Sequence, residues 1–508
     1  MDFIFYLTLF LFILLFGTLD NGIDYDFWAR LIVGKSYFQT GNLFNNDFYS
    51  YGTTHSFIDH EWGSSLIFYL IQDNFNDIGL YIFKSIIIFL TLFIITKTIK
   101  LNKNDTKLNF LFFFFAIQSV SYSIFATIRC QTFSFLFFAI YIYLAQRIRI
   151  NKEYRLLWLF PILNIIWANL HGGFVIGLAI LMICAIGEFL NNKASKKYLY
   201  FLATFLITSL TTLINPYGIS YLSFIFDAFM LNRVHITEWQ SAFFNKNYVF
   251  MLLKFKAFFT ITILIFLFSI IKNIKNSSIL DFYKKIDKTK YLILLFMILI
   301  SLKALRCHVF FTYCVIIFCY SDFYNIFNKQ LPEKIDKIKE YILLILILIS
   351  TISHIINFRF INTTKNSQYP IYAVEFIKQN NIKGNVFVNF HLGSYVIYKL
   401  YPNNHVFMDG RYEEIYDNNL INKMAKFFLG KSKDEFLQEF HNDILIIDNS
   451  YPIKKILDND KKWFMAWEDE FYTLYLDKKL KKDSYIHPSK DINYYNKTKF
   501  KTSIDWLK

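Results

Sequence analysis

The stretch DNGIDYDFWARLIVGKSYFQTGNLFNNDFYSYGTTHSFIDHEW, Asp20 to Trp62, separates the first apolar segment from the next long one. Asp24 and Asp26 follow the apolar segment Phe3–Gly17 within a few residues, and Asp59-His60-Glu61-Trp62 directly precedes the apolar run that starts near Ser64. Between them, FWARLIVGKSYF reads as a short amphipathic helix that would lie flat on a bilayer surface. Carboxylates gathered at a membrane boundary suit chemistry on a lipid-borne substrate. Acidic residues also mark ordinary solvated loops, so the stretch has to be weighed with the rest of the chain.

Outward from it the chain is apolar. Of 508 residues 55% are hydrophobic and 20% aromatic, more than a water-soluble protein of this length carries. Phe3–Gly17 lacks a basic start and a small-residue cleavage site, so it reads as an uncleaved anchor. Further runs fall near 64–95, 108–125, 132–144, 156–170, 174–190, 200–214, 257–271, 291–302, 309–320 and 341–356, about eleven spans in all. The chain is therefore expected to be a polytopic α-helical membrane protein. Five cysteines show no C-x-x-C spacing, which indicates neither zinc nor a redox pair.

The loops orient the spans. With the N-terminus inside, the inner loops are 97–107, 147–155, 193–197, 272–290 and 329–339, each rich in Lys and Arg, while the outer loops are poor in both. That alternation predicts a cytoplasmic N-terminus, and it assigns most of the +15 formal charge to loop anchors rather than to a nucleic-acid surface. An odd span count places the tail outside. There NVFVNF, HVFMDG, DILIID, WFMAWE and FYTLYL read as strands among the short helices AVEFIKQN, GSYVIYKL, NNLINKMAKFF, DEFLQEF and PIKKILDN. The expected organisation is a membrane domain over 1–357 with its first outer loop at 18–63, a small extracytoplasmic α/β domain with a partly parallel sheet over 358–480, and a poorly ordered tail over 481–508.

Placed on this map, the unusual polar residues all fall at the outer face. They are Asp24, Asp26, Asp59, His60, Glu61, Arg129, His171, Glu238, Arg306 and His308. Charged groups at span ends are costly unless paired or wet, so their convergence implies a polar basin at the outer leaflet. The chemistry that fits is glycosyl transfer from a polyprenyl-phosphate sugar. A carboxylate orients or deprotonates the acceptor hydroxyl, and cationic donors receive the departing lipid phosphate. Asp24 or Asp26 is the candidate base, with Asp59 and Glu61 behind them. Arg129, His171, Arg306 and His308 are the candidate phosphate partners, and His60 and Glu238 are further substrate contacts. A divalent metal at Asp24 and Asp26 is compatible with the residues, but two carboxylates do not define one. A transporter or flippase of lipid-linked glycans, or a glycan polymerase or ligase, would also gather polar residues there. No motif points to nucleic acid, and oligomeric state is not legible.

These residues carry a resemblance. DYDFWARLIVGKSYFQTGNLFNNDFYSY, FIDHEWGSSLIFYLI, RCQTFSF, WANLHGGFVIG, NPYG, EWQS, RCHVFF and VFMDGRYE, in that order, resemble a family of bacterial multi-pass membrane proteins similar to the GT-C glycosyltransferases, which include protein mannosyltransferases and lipid A aminoarabinose transferases. The resemblance implies a bacterial inner-membrane location, a lipid-linked sugar donor, and a base or metal ligand at Asp24 or Asp26. Relatives tend to carry His where this chain has Arg30. The motif FMDGRYE resembles the family's C-terminal signature and places Asp409 and Arg411 at a strand end, where α/β sheets bind ligands. An internal pairing of Arg411 with Asp409 or Glu413 would serve equally well.

Overall fold

The computed structural model describes the chain except residues 1, 18–23, 44–45, 53–56, 103–109, 126–127, 231–236, 242, 244–248, 276–282, 328–344, 346–348, 350–367, 412–414 and 490–508. Two compact units result. One comprises Met1–Asp20, Tyr81–Ala126 and Cys130–Arg359, and the other comprises Asn21–Leu80, Thr127–Arg129 and Phe360–Lys508.

Among the described residues the first unit is helical. It holds α1 (Asp2–Gly17), while α2 (Tyr25–Thr40) belongs to the other unit and α3 (Trp62–Asn102) is shared along the chain. It continues with α4 (Phe110–Ser119), α5 (Ser121–Phe125), α6 (Gln131–Asn151), α7 (Leu159–Leu170), α8 (Phe174–Asn191), α9 (Lys197–Thr211) and α10 (Ile219–Met230). It ends with α11 (Val249–Lys275), α12 (Lys288–Lys303) and α13 (His308–Phe327). Helix α13 is wholly buried from Val309 to Tyr320, whereas Leu206, Leu210, Leu264 and Leu299 stand exposed on α9, α11 and α12. A helical bundle that is apolar both inside and on its outer surface is built for lipid. Side-chain amides and hydroxyls tie the helices where hydrophobicity cannot sort them. Asn164 donates to the Thr208 carbonyl at 3.0 Å, and Trp167 Nε1 to Ser134 Oγ at 2.7 Å.

Four helices among the described residues are long and apolar enough to cross a membrane: Trp62–Asn102, Gln131–Asn151, Phe174–Asn191 and Leu252–Ile271. The expected count of about eleven is thus corrected downward. The apolar stretches at Phe5–Leu14, Tyr154–Leu170, Ile219–Ala228 and Leu305–Tyr320 are only 10–17 residues long, the last covering a short turn and part of the 20-residue α13. At ~1.5 Å per residue these reach roughly 15–25 Å, less than a hydrocarbon core of about 30 Å. The run at 108–125 is split at Val120, and α3 is interrupted at Asn76, whose φ of 51° and ψ of −154° leave the helical region. The run at 341–356 lies almost wholly outside the described residues.

The second unit contains the α/β fold. Helices α14 (Ile371–Gln379), α15 (Phe390–Leu400), α16 (Asn418–Phe428), α17 (Lys433–Glu439) and α18 (Ile453–Leu457) accompany strands β1 (Gly384–Phe387), β2 (Asn404–Val406), β3 (Ile444–Asp448), β4 (Trp463–Glu468) and β5 (Tyr472–Asp477). The sheet runs β2-β1-β3-β5-β4, parallel across β2, β1 and β3 and antiparallel at β5 and β4. This is the partly parallel sheet that the alternating pattern predicts.

The domain boundary differs from expectation, because the first loop is part of this unit. Residues 49–52 lie along the β2 edge. Val406 N donates to the Tyr49 carbonyl at 3.1 Å, Tyr51 N to Val406 at 2.9 Å and Gly52 N to Phe407 at 3.0 Å. That covers an edge strand which would otherwise template foreign pairing. Helix α2 is likewise not a helix lying exposed on a surface. Phe27 through Gly34 are all buried within this unit, with Trp28 packed on Tyr369, Tyr395 and Tyr398. Gly34 is required there, because any Cβ would overlap the Ser65 carbonyl of α3. The start of the expected loose tail is also anchored. Ile486 N donates to Asn380 Oδ1 at 2.8 Å, and Asn380 Nδ2 returns a bond to the Ile486 carbonyl at 2.8 Å. Residues 490–508 lie outside the described part.

Candidate functional site

The acidic residues of the first loop take three different roles in the second unit. Asp24 is the N-cap of α2, its Oδ1 accepting from Asp26 N at 3.0 Å. Its Oδ2 accepts from Arg129 Nε at 2.8 Å and also from Nη2. This brings together one carboxylate and one cation that the sequence assigned to a common basin. Two residues on, in the first turn of α2, Asp26 is exposed. It lies beside Gly410, where an added methyl would stand 3.0 Å from Asp26 Oδ1, and Gly410 N is fixed by Ser394 Oγ at 3.0 Å. Helix α2 and the loop after β2 thus present an accessible carboxylate on a rigid mount.

Asp59 and Glu61 are not mounted in this way. Asp59 is buried, Arg30 Nη1 donates to its Oδ1, and Glu61 N bonds the same oxygen at 2.9 Å. Glu61 Oε2 lies 3.6 Å from the same guanidinium, and Glu61 Oε1 lies 3.7 Å from His60 Nε2. Arg30 therefore neutralises the second acidic cluster and joins α2 to the start of α3. Its partners sit 29 and 31 residues away in the chain, too far for spacing to suggest the pairing.

Asp409 and Arg411 are wholly buried, and their pairing is internal. Arg411 Nε lies 2.9 Å from Asp409 Oδ2, Nη2 lies 2.8 Å from the same oxygen, and Nη1 lies 3.0 Å from Asp47 Oδ1. Tyr49 and Phe57 sandwich the guanidinium at 4.9 and 5.0 Å. Tyr416 OH reaches Asp409 Oδ1 at 3.3 Å and Ser50 Oγ at 2.8 Å. Burial pushes the Asp47 carboxyl up, but Arg411 together with hydrogen bonds from Ser50 and the Tyr49 amide holds the group below the usual carboxylate range. Burial lowers Arg411, but Asp409 and Asp47 together hold it well above its ordinary value. A guanidinium so enclosed clamps the loop to the sheet and is out of reach of a substrate. Glu413, the other expected partner, lies outside the described residues.

Sequence reasoning passed over the carboxyl ends of β1 and β3. The chain leaves β1 toward β2 on one side and leaves β3 toward β5 and β4 on the other, so a switch point opens between them. Across it Asn389 Nδ2 donates to Tyr451 OH at 2.7 Å. His391 stands against Tyr25 with ring centroids 5.0 Å apart, and Tyr25 adjoins Asp26 at the head of α2. Burial lowers the His391 imidazole to about 4, against an opposing pull from Asp448. It is a neutral donor and acceptor near pH 7. The strand-end position of Asn389 and His391 directly after NVFV was the available signal.

The other candidates belong to the helical unit. His171 ends α7, and its Nδ1 accepts from Gly173 N at 2.9 Å and lies 2.7 Å from Ser134 Oγ. Because the Gly173 N–H donates to Nδ1, that nitrogen carries no proton, which assigns the Nε2–H tautomer and makes Ser134 Oγ, itself accepting from Trp167, a donor to Nδ1. Arg306 lies over Trp239 at 4.7 Å, its carbonyl accepts from Gln131 at 3.2 Å, and Leu305 N donates to the Gln240 carbonyl at 3.0 Å. Glu238 sits in the same short turn as Trp239. His171, Glu238 and Arg306 therefore gather at the end of the bundle where α6 begins. His308 is buried and stacked face to face on Phe255 at 3.5 Å, which makes it a packing residue.

Asp24 has Arg129 and an amide on its two oxygens, and no group of three or more His, Cys, Asp or Glu able to hold a metal occurs among the described residues. The donor set does not fit a divalent cation. Taken together, the chain is a mostly helical protein with, among the described residues, four membrane-length apolar helices and a small α/β unit into which its first loop is built. Neither a family model nor a curated protein matches it.

Proposed function

We propose that this chain is a membrane glycosyltransferase of GT-C type that moves a sugar from a polyprenyl-phosphate donor to an extracytoplasmic glycan, lipid or protein. The observation that carries the reading is the exposed Asp26 carboxylate, mounted on the first turn of α2 beside Gly410 and two residues from the Asp24–Arg129 pair. Asp26 takes the proton from an acceptor hydroxyl as its oxygen attacks the anomeric carbon. The bond from that carbon to the lipid phosphate breaks, and Arg129, oriented by Asp24, receives the phosphate charge. The acceptor lies at the switch-point crevice, where Asn389, Tyr451 and the neutral His391 meet hydroxyls and Tyr25 offers a ring. In this reading the Lys- and Arg-rich loops are cytoplasmic anchors, and the α/β unit works on the outer side of a bacterial inner membrane.

The test is Asp26→Asn in purified full-length protein, assayed with a polyprenyl-phosphate sugar and a panel of hydroxyl acceptors. Transfer should fall on the order of 10²–10⁴ while membrane insertion and thermal stability hold. Unchanged product formation in Asp26→Asn and Asp24→Asn alike would sink the carboxylate mechanism. A flippase would form no product even as wild type.

A further inference from the structure

The helical unit contains a cavity of about 470 Å³ that transfer chemistry does not use. It lies where α3, α6 and α8 near their ends, α12 begins and the middle of α13 passes, so α6 separates it from the cluster of His171 and Arg306 at the opposite end. Roughly fifteen waters at about 30 Å³ each would be needed to fill it, and its size is that of a small-ligand site.

Its lining is selective. Arg149 is closed off by two carboxylates, with Nε 2.7 Å from Glu188 Oε1 and Nη2 2.6 Å from Asp287 Oδ1. Gln146 is 3% exposed, and its Oε1 accepts from Arg149 at 3.3 Å. Its Nε2 has no partner among the described residues, although a buried amide donor left unmet costs about 1–3 kcal/mol. Lys285 and Lys290 complete the charged wall, giving three cations against two carboxylates. The remaining wall includes Ile150 and Phe318. The site therefore asks for an anionic acceptor on an apolar stem.

We propose that this cavity binds the phosphate of an anionic membrane lipid, with Gln146 and Lys285 donating to its oxygens and the chain running along Ile150 and Phe318. Basic pockets between membrane helices hold such headgroups. The same chemistry is offered by a phosphatidylglycerol headgroup and by a polyprenyl phosphate. The inference is independent of the transfer reading, and its test needs no turnover.

Full-length protein in an uncharged detergent would be titrated with phosphatidylglycerol, phosphatidylcholine and a polyprenyl phosphate, with bound lipid counted by native mass spectrometry. At least one anionic lipid should bind about tenfold more tightly than phosphatidylcholine, and Gln146→Leu and Lys285→Ala should each remove about that factor. Lys197→Ala, a lysine that does not line the cavity, should bind as wild type. Preference for phosphatidylglycerol assigns the site to bulk lipid, and preference for the polyprenyl phosphate assigns it to the carrier. Equal binding of all three lipids, or wild-type affinity in Lys285→Ala, would overturn the proposal; the lysine variant decides if Gln146→Leu does not fold.

Discussion

Arg129 Nε lies 2.8 Å from Asp24 Oδ2 across 105 residues of chain. The segment between α5 and α6 is thereby fastened to the head of α2, next to Asp26. Side-chain exposures of 32% for Arg129 and 11% for Asp24 leave the pair open to solvent on the cation's side. A double-mutant cycle of Arg129→Gln and Asp24→Asn on unfolding free energy should therefore give a coupling of about 1 kcal/mol. Arg129→Gln should slow transfer with little loss of stability. A coupling indistinguishable from zero would mean the contact does not position the guanidinium.

Arg411 should behave in the opposite way. Arg411→Met leaves Asp409 and Asp47 buried without their cation, which costs about 3–5 kcal/mol. The fold depresses the Asp47 pKa, so its contribution is present above the usual carboxylate range and is lost as pH falls through the folded value. Asp47→Asn should accordingly flatten the stability profile below about pH 4, as read by thermal unfolding in buffers of falling pH. An unchanged acid limb would remove Asp47 from the linkage.

His391 supplies a separate window. Its folded pKa of about 4 lies below the ordinary 6.5, so the unfolded chain binds the extra proton first. Stability from this residue is present above pH 6.5 and is lost as pH falls through about 4. His391→Gln should be less sensitive than wild type across that interval, and equal slopes would contradict a buried neutral imidazole.

Much of this was legible locally. NVFVNF, HVFMDG, DILIID, WFMAWE and FYTLYL became β1 to β5, because apolar residues bounded by Gly, Asn and Asp leave few other solutions. Span counting was less secure, since largely apolar runs such as that at Ile219–Ala228 end as short helices, and hydropathy alone does not set helix length. The site was half legible. Asp24, Asp26 and Arg129 stood out by type and place, but nothing local announces that Arg30 consumes Asp59 and Glu61. The union of the loop with the tail was hidden for the same reason. The partners of Asp47, Tyr49 and Ser50 are Arg411, Val406 and Tyr416, and pairing over such distances leaves no periodic trace.

The edge-strand addition at β2 also sets a timetable. Ser50 and Tyr416 meet 366 residues apart, so at about 5–20 residues per second the ribosome needs tens of seconds to supply the second half of the contact. Through that interval residues 49–52 lack the β2 edge, and Asp47 lacks Arg411. The completed clamp therefore forms only once the last domain has been made, and it requires that domain and the first loop to come to one side of any membrane the chain crosses, with an even number of crossings between them.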